Sequence, residues 1–170
     1  MRIFVITTAV LCLTTAAAMA YEPMAAAIRV SSGSVYDYVL IGEDSRASDG
    51  FDNAYDTISP GNLNADMGQP YISALIVHPE WNMAMKEFRG DVRSVARRQE
   101  WAVSVSSSLP KGTPLTVELQ EDRSSLPKGM RVTLKDRARK KERNVAQERY
   151  LLPAPGPGAK SEFTLVVEQP

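Results

Sequence analysis

Trp101-Ala102-Val103-Ser104-Val105-Ser106 places Trp101, Val103 and Val105 on one side of an extended chain and Ala102, Ser104 and Ser106 on the other. A period of two is the mark of a half-buried strand, because successive side chains point to opposite faces. The same alternation returns in Leu115, Val117 and Leu119, in Met130, Val132 and Leu134, and in Phe163, Leu165 and Val167. Polar or small residues fill the alternate positions, apart from Val166 in the last run.

Working outward, Val35 to Ile41 and Tyr71 to Val77 read as two more strands on their β-branched and aromatic content. Tyr150-Leu151-Leu152 starts another, and Met24 to Val30 reads as a short edge strand. Turn formers separate them: Ser59-Pro60-Gly61-Asn62, Leu109-Pro110-Lys111-Gly112, Leu126-Pro127-Lys128-Gly129 and the Pro/Gly run at 153–158. The Leu-Pro-Lys-Gly tetrapeptide occurs twice and reads as two equivalent strand-entry turns, with Leu as a plug for the core. A short helix is expected within Val92 to Gln99 and little helix elsewhere. The expected fold is all-β, an antiparallel β-sandwich of seven to eight strands.

The first 20 residues have the form of a cleavable export signal. Arg2 supplies the positive charge, Ile3 to Thr15 the apolar run, and Ala18-Met19-Ala20 the cleavage site. The run is shorter than the roughly 18 to 20 apolar residues that span a bilayer, so no membrane span is expected after cleavage. The expected organisation is a signal at 1–20, an N-terminal segment at 21–34 and a β-sandwich domain at 35–170. An extracytoplasmic location follows: periplasm, cell surface or secreted.

Cleavage would remove Cys12, the only cysteine, and with it disulfides, thiolate chemistry and Cys-based metal sites. His78 is the only histidine and has no nucleophile-elbow serine to serve. In Val77-His78-Pro79-Glu80-Trp81 it is expected to end a strand and pack beside Trp81. The glycines are scattered singly, so no phosphate-cradling loop is present. No enzyme is expected.

Asp49-Gly50-Phe51-Asp52-Asn53-Ala54-Tyr55-Asp56 puts three carboxylates into eight residues. Asp49, Asp52 and Asp56 are the candidate metal ligands, and calcium, which takes oxygen donors in flexible geometry, is the cofactor they would suit. The spacing is not that of an EF-hand. The plainer reading is a polar loop in which Asp and Asn build turns.

Net charge is zero but unevenly spread. Tyr21 to Glu80 holds nine acidic and two basic residues, and Trp81 to Tyr150 sixteen basic and nine acidic. Opposed charges of this kind suit head-to-tail self-association. The stretch Tyr21 to Val30, set apart by Ser31-Ser32-Gly33-Ser34, offers a second route by pairing with a neighbour's sheet edge. The basic run 135–143 suits an acidic polymer such as a surface polysaccharide; without interleaved aromatic residues, no nucleic acid is expected. The plainer reading of that run is a solvated hairpin tip.

Several pieces in this order resemble an immunoglobulin-like module of secreted multidomain bacterial proteins, often found before C-terminal sorting or anchoring domains. They are Ala47-Ser48-Asp49-Gly50-Phe51-Asp52 with Asp56, His78-Pro79-Glu80-Trp81, Asp91-Val92-Arg93, Glu100-Trp101-Ala102-Val103, Leu126-Pro127, Leu134-Lys135-Asp136 and Glu162 to Val167. The resemblance covers most of residues 35 to 168 and implies a β-sandwich in a secreted setting without enzymatic activity or an established ligand. The sequence ends at Pro170 with no sorting domain, so a free-standing unit is expected. Two functions follow: a structural or protein-interaction module, such as a subunit of an extracellular assembly, and a module binding calcium or polysaccharide.

Overall fold

A computed structural model describes residues 21–170; the expected signal at 1–20 lies outside them. The described chain forms β1 (Met24–Ser32), β2 (Val35–Glu43), β3 (Thr57–Ile58), β4 (Ile72–Val77), β5 (Glu87–Arg93), β6 (Arg98–Ser107), β7 (Pro114–Leu119), β8 (Arg131–Asp136), β9 (Lys141–Asn144), β10 (Tyr150–Pro153) and β11 (Lys160–Glu168). A single-turn α-helix, α1 (Leu63–Asp66), is capped by Asn62, whose side chain accepts from the backbone N–H groups of Asn64 and Ala65, and a 3-10 turn spans Glu121–Arg123.

The all-β expectation holds. The strands follow one hydrogen-bonded path, β10-β7-β1-β2-β5-β4-β6-β11-β8-β9, with β3 added beside β5. This sheet curls until its two ends nearly meet as a barrel. The β2–β5 ladder is parallel and the other ladders are antiparallel.

The loop between β9 and β10 stitches the seam. Val145 donates its N–H to the Val132 carbonyl at 2.8 Å, and its own carbonyl accepts from the Leu119 N–H at 3.4 Å. The Tyr150 hydroxyl donates to Asp136 at 2.8 Å from the other side of the gap. An open sheet edge is thereby covered, which removes a template for pairing with other chains.

The alternating residues fill the interior as their period requires. Trp101, Val103, Val105, Leu115, Val117, Val132, Leu134, Leu165 and Val167 are all fully buried. The repeated tetrapeptide makes the same turn twice. Thr113 N–H donates to the Pro110 carbonyl and Met130 N–H to the Pro127 carbonyl. Gly112 and Gly129 each take φ +86°, a conformation that favours glycine. Leu109 and Leu126 pack against the core as expected.

Three expectations are corrected. Eleven strands form among the described residues, not seven or eight, because β3, β5 and β9 are short or lack alternation. The helix expected in Val92 to Gln99 is absent: β5 runs to Arg93 and β6 begins at Arg98. The stretch expected to be a detached edge is β1, paired along both sides by β2 and β7. Met24, Ala26, Ile28 and Val30 send one face of β1 into the core, and Ser32 and Val35 pair directly across a tight turn. Its backbone is therefore engaged within its own sheet, and 21–34 is not a separate segment.

Candidate functional site

The three acidic residues of the 49–56 loop are not gathered round one point. Asp49 accepts from the backbone N–H and hydroxyl of Ser94 and from the Gln99 side chain. The Ser94 hydroxyl hydrogen bond leads in holding its carboxyl below the usual range. Asp56 is buried and accepts from the Asp52 N–H at 2.6 Å and the Val92 N–H at 3.1 Å. Burial pushes its pKa up against those bonds. Asp52 accepts from the Ala54 N–H. These carboxylates tie the loop to β5, to β6 and to itself. Among the described residues no group of three or more His, Cys, Asp or Glu is placed to hold a metal ion.

Next to this loop lies a buried polar cluster. β4 ends at Val77 and delivers His78 into the protein, where its Nε2 is 2.8 Å from Asp91 and its Nδ1 2.8 Å from Glu80. The ring stacks on Trp81 with centroids 3.6 Å apart, and Phe88 meets both rings edge-on. Arg93 holds Asp91 through Nε at 3.0 Å and donates to the Glu100 carbonyl. Burial works against charge on the imidazole, but the hydrogen bonds to Asp91 and Glu80 outweigh it and raise its pKa above the ordinary value. Because both ring nitrogens face carboxylates, neither is left open to take a proton from a substrate in this arrangement. The packing on Trp81 was legible in the sequence. The Asp91 contact, thirteen residues away, had no local signal.

The outer side of β2 carries a different chemistry. Its alternation sends Asp37, Val39 and Ile41 to the buried side and Tyr36, Tyr38 and Leu40 to the outer one. Tyr36 is 56% exposed and Leu40 37% exposed. The neighbouring strands align Arg29 beside Tyr38 and Glu118 beside Arg29. Guanidinium groups cover the rings, with Arg29 4.5 Å from the centre of Tyr36 and Arg123 4.3 Å from that of Tyr38. Arg89 reaches the Tyr38 ring at 5.8 Å and also pairs with Asp37. Along the same side runs a groove of about 680 Å³, lined by Leu40, Tyr55, Val92 and Arg123 among others. Tyr36 and Tyr38 read in the sequence only as strand formers. That they meet arginines depends on register, which alternation alone does not give.

The basic run 135–143 forms the β8–β9 hairpin. Folding ties acidic side chains of the first stretch to later parts of the chain. Arg89 reaches Asp37, Val92 and Ser94 donate to Asp56 and Asp49, and Gln169 donates to Glu43. No helix among the described residues is long and apolar enough to cross a membrane.

Fold and sites together define an all-β protein with a nearly closed sheet, an arginine–tyrosine outer face and a buried histidine–carboxylate cluster. No family model, curated protein or solved structure matches the chain.

Proposed function

We propose that this chain is an exported, non-enzymatic protein-interaction module, immunoglobulin-like in kind, that binds its partner through the outer side of β2. One observation carries the reading: Tyr36, Tyr38 and Leu40 stand out from an interior strand under three arginines. Tyr and Arg are the residues that most often dominate binding energy at protein interfaces, and a strand held on both sides presents them with little entropy left to lose. The adjoining groove gives an apolar side chain of a partner a place to enter. The form of residues 1–20 supports export.

A photo-reactive amino acid placed at position 36, and separately at Leu151 on β10, tests this in cells that make the protein. Leu151 is 60% exposed and lies on another strand, so it reports chance encounters. Discrete adducts from position 36 alone are the expected outcome, and Arg123→Ala should reduce them. No adduct at 36, or the same adducts from both positions, overturns the reading.

A further inference from the structure

The opposite run of the sheet carries a second feature, independent of the β2 face. Across β6, β11 and β8 the register sets Ala102, Thr164 and Lys135 in one row. Small side chains in the middle of that row leave a trough. Three grooves of about 540, 540 and 320 Å³ adjoin along it and share lining residues, and Arg137 lines all three. Arg137, Lys140 and Lys141 are exposed and form no ion pair among the described residues. Their neighbours are occupied: Lys135 pairs with Glu142, Arg139 with Asp136 and Lys160 with Glu87.

The turn that presents these cations is held from below. Asp136 is buried, accepts from the Tyr150 hydroxyl, and binds Arg139 through both backbone and side chain. Lys140 N–H closes the turn onto the Arg137 carbonyl. A fixed turn presents these unpaired cations beside a trough whose lining carboxylates Glu80, Glu100 and Glu142 are engaged by His78, Arg98 and Lys135, an arrangement that suits an anionic chain.

We propose that the trough binds an acidic polysaccharide, with Arg137, Lys140 and Lys141 taking sugar carboxylates. Thr164 and Glu162, which also line it, are placed for sugar hydroxyls. The neutral net charge of the whole protein makes any such binding local to this surface. Nucleic acid fits less well, because the rings that line the trough, Phe163 and His78, are buried and offer no face for a base. A membrane fits less well too, since the hairpin tip carries no large apolar residue to enter lipid.

The test measures binding of the purified protein to polygalacturonate, neutral dextran, a single-stranded oligonucleotide and vesicles of anionic lipid, at about 0.05 and 0.5 M salt. Polygalacturonate should bind best and weaken with salt, and dextran should not bind. Arg137→Ala should lower its affinity about tenfold, the scale of one charge-assisted hydrogen bond. Thr164→Trp fills the trough without changing charge and should do the same, whereas Lys128→Ala, beyond the far end of β8, should change nothing. Affinity unmoved by both Arg137→Ala and Thr164→Trp overturns the proposal. So does binding to the oligonucleotide or the vesicles as tight as to polygalacturonate, since that is the behaviour of a plain cationic tip.

Discussion

The imidazole of His78 lies flat on the indole of Trp81, their planes 3° apart and their centres separated by 3.6 Å. Stacked this way, the ring bridges two acids, Asp91 on β5 and Glu80 in its own loop. The loop after β4 is thus fastened to β5 through one titratable group. Lys86 adds bonds from its ammonium to the carbonyls of Pro79 and Trp81.

The first prediction follows from the direction of that titration. A histidine whose folded pKa is raised adds stability that is fully present below its unfolded pKa, about 6.5. The contribution is lost as pH rises through the folded value, because the native state then releases the proton it had held more tightly. Melting temperature should therefore fall from mildly acid towards alkaline pH. His78→Gln should flatten that slope and cost about 3 kcal/mol at acid pH, as expected when one partner of a buried charged pair is removed. An unchanged slope in His78→Gln would assign the pH dependence to another group.

Trp101 gives a test of the core. Its side chain is fully buried, and Arg93 lies 5.1 Å from the ring centre. Trp101→Ala should cost about 3 to 5 kcal/mol in denaturant unfolding. A loss below about 1 kcal/mol is what a surface position gives and would refute the burial of this strand.

The acidic loop separates turn chemistry from calcium binding. The buried Asp56 carboxylate accepts from the part-buried N–H groups of Asp52 and Val92, so Asp56→Ala should cost about 2 kcal/mol by removing both bonds. Calcium bound to Asp49, Asp52 and Asp56 would raise the melting temperature, since a ligand of the native state stabilises it, and Asp52→Asn would abolish the rise. With Asp49 and Asp56 already engaged by Ser94, Gln99 and Val92, the expected melting curve is the same with millimolar calcium and with chelator. A rise that depends on Asp52 would restore the calcium reading.

How much the residues alone disclose differs from strand to strand. β6, β7, β8 and β11 stand out in the sequence because one face of each is buried and the other wet. β5 does not. Glu87-Phe88-Arg89-Gly90-Asp91-Val92-Arg93 buries a glycine and an aspartate, the latter against His78, and a polar network has no hydrophobic period to read. Nor does the pattern say that β5 runs parallel to β2, since register depends on which strands meet across long stretches of chain. The same limit hid the pairing of Arg29 and Arg123 with the tyrosines of β2. β1, nine residues long, reads as an edge only because the polar turn that follows sets it apart from the next strand. Its alternating Met24, Ala26, Ile28 and Val30 in fact fit an interior strand.

The seam gives the last prediction. β10 and β8 do not pair with each other, yet the Tyr150 hydroxyl crosses to Asp136 at 2.8 Å. Burial and this bond to a carboxylate push the phenol up to about 12, so it stays a donor throughout the working pH range. Asp136 is also buried, and burial alone would raise its pKa, but the bonds from Tyr150 and Arg139 overcome that and lower it. A depressed carboxylate contributes stability above its unfolded pKa, about 3.9, and loses it as pH falls through the folded value. Tyr150→Phe keeps the ring in the core and removes only the hydroxyl. It should cost about 1.5 to 3 kcal/mol near neutral pH, the range for a hydrogen bond to a charged group, and the difference from the parent should shrink in strong acid. Amide exchange should quicken first at Val145 and Leu119, whose hydrogen bonds stitch the same gap. Equal stability of the two proteins, with exchange at Val145 unchanged, would mean that Val145 and the surrounding packing hold the seam without the tyrosine.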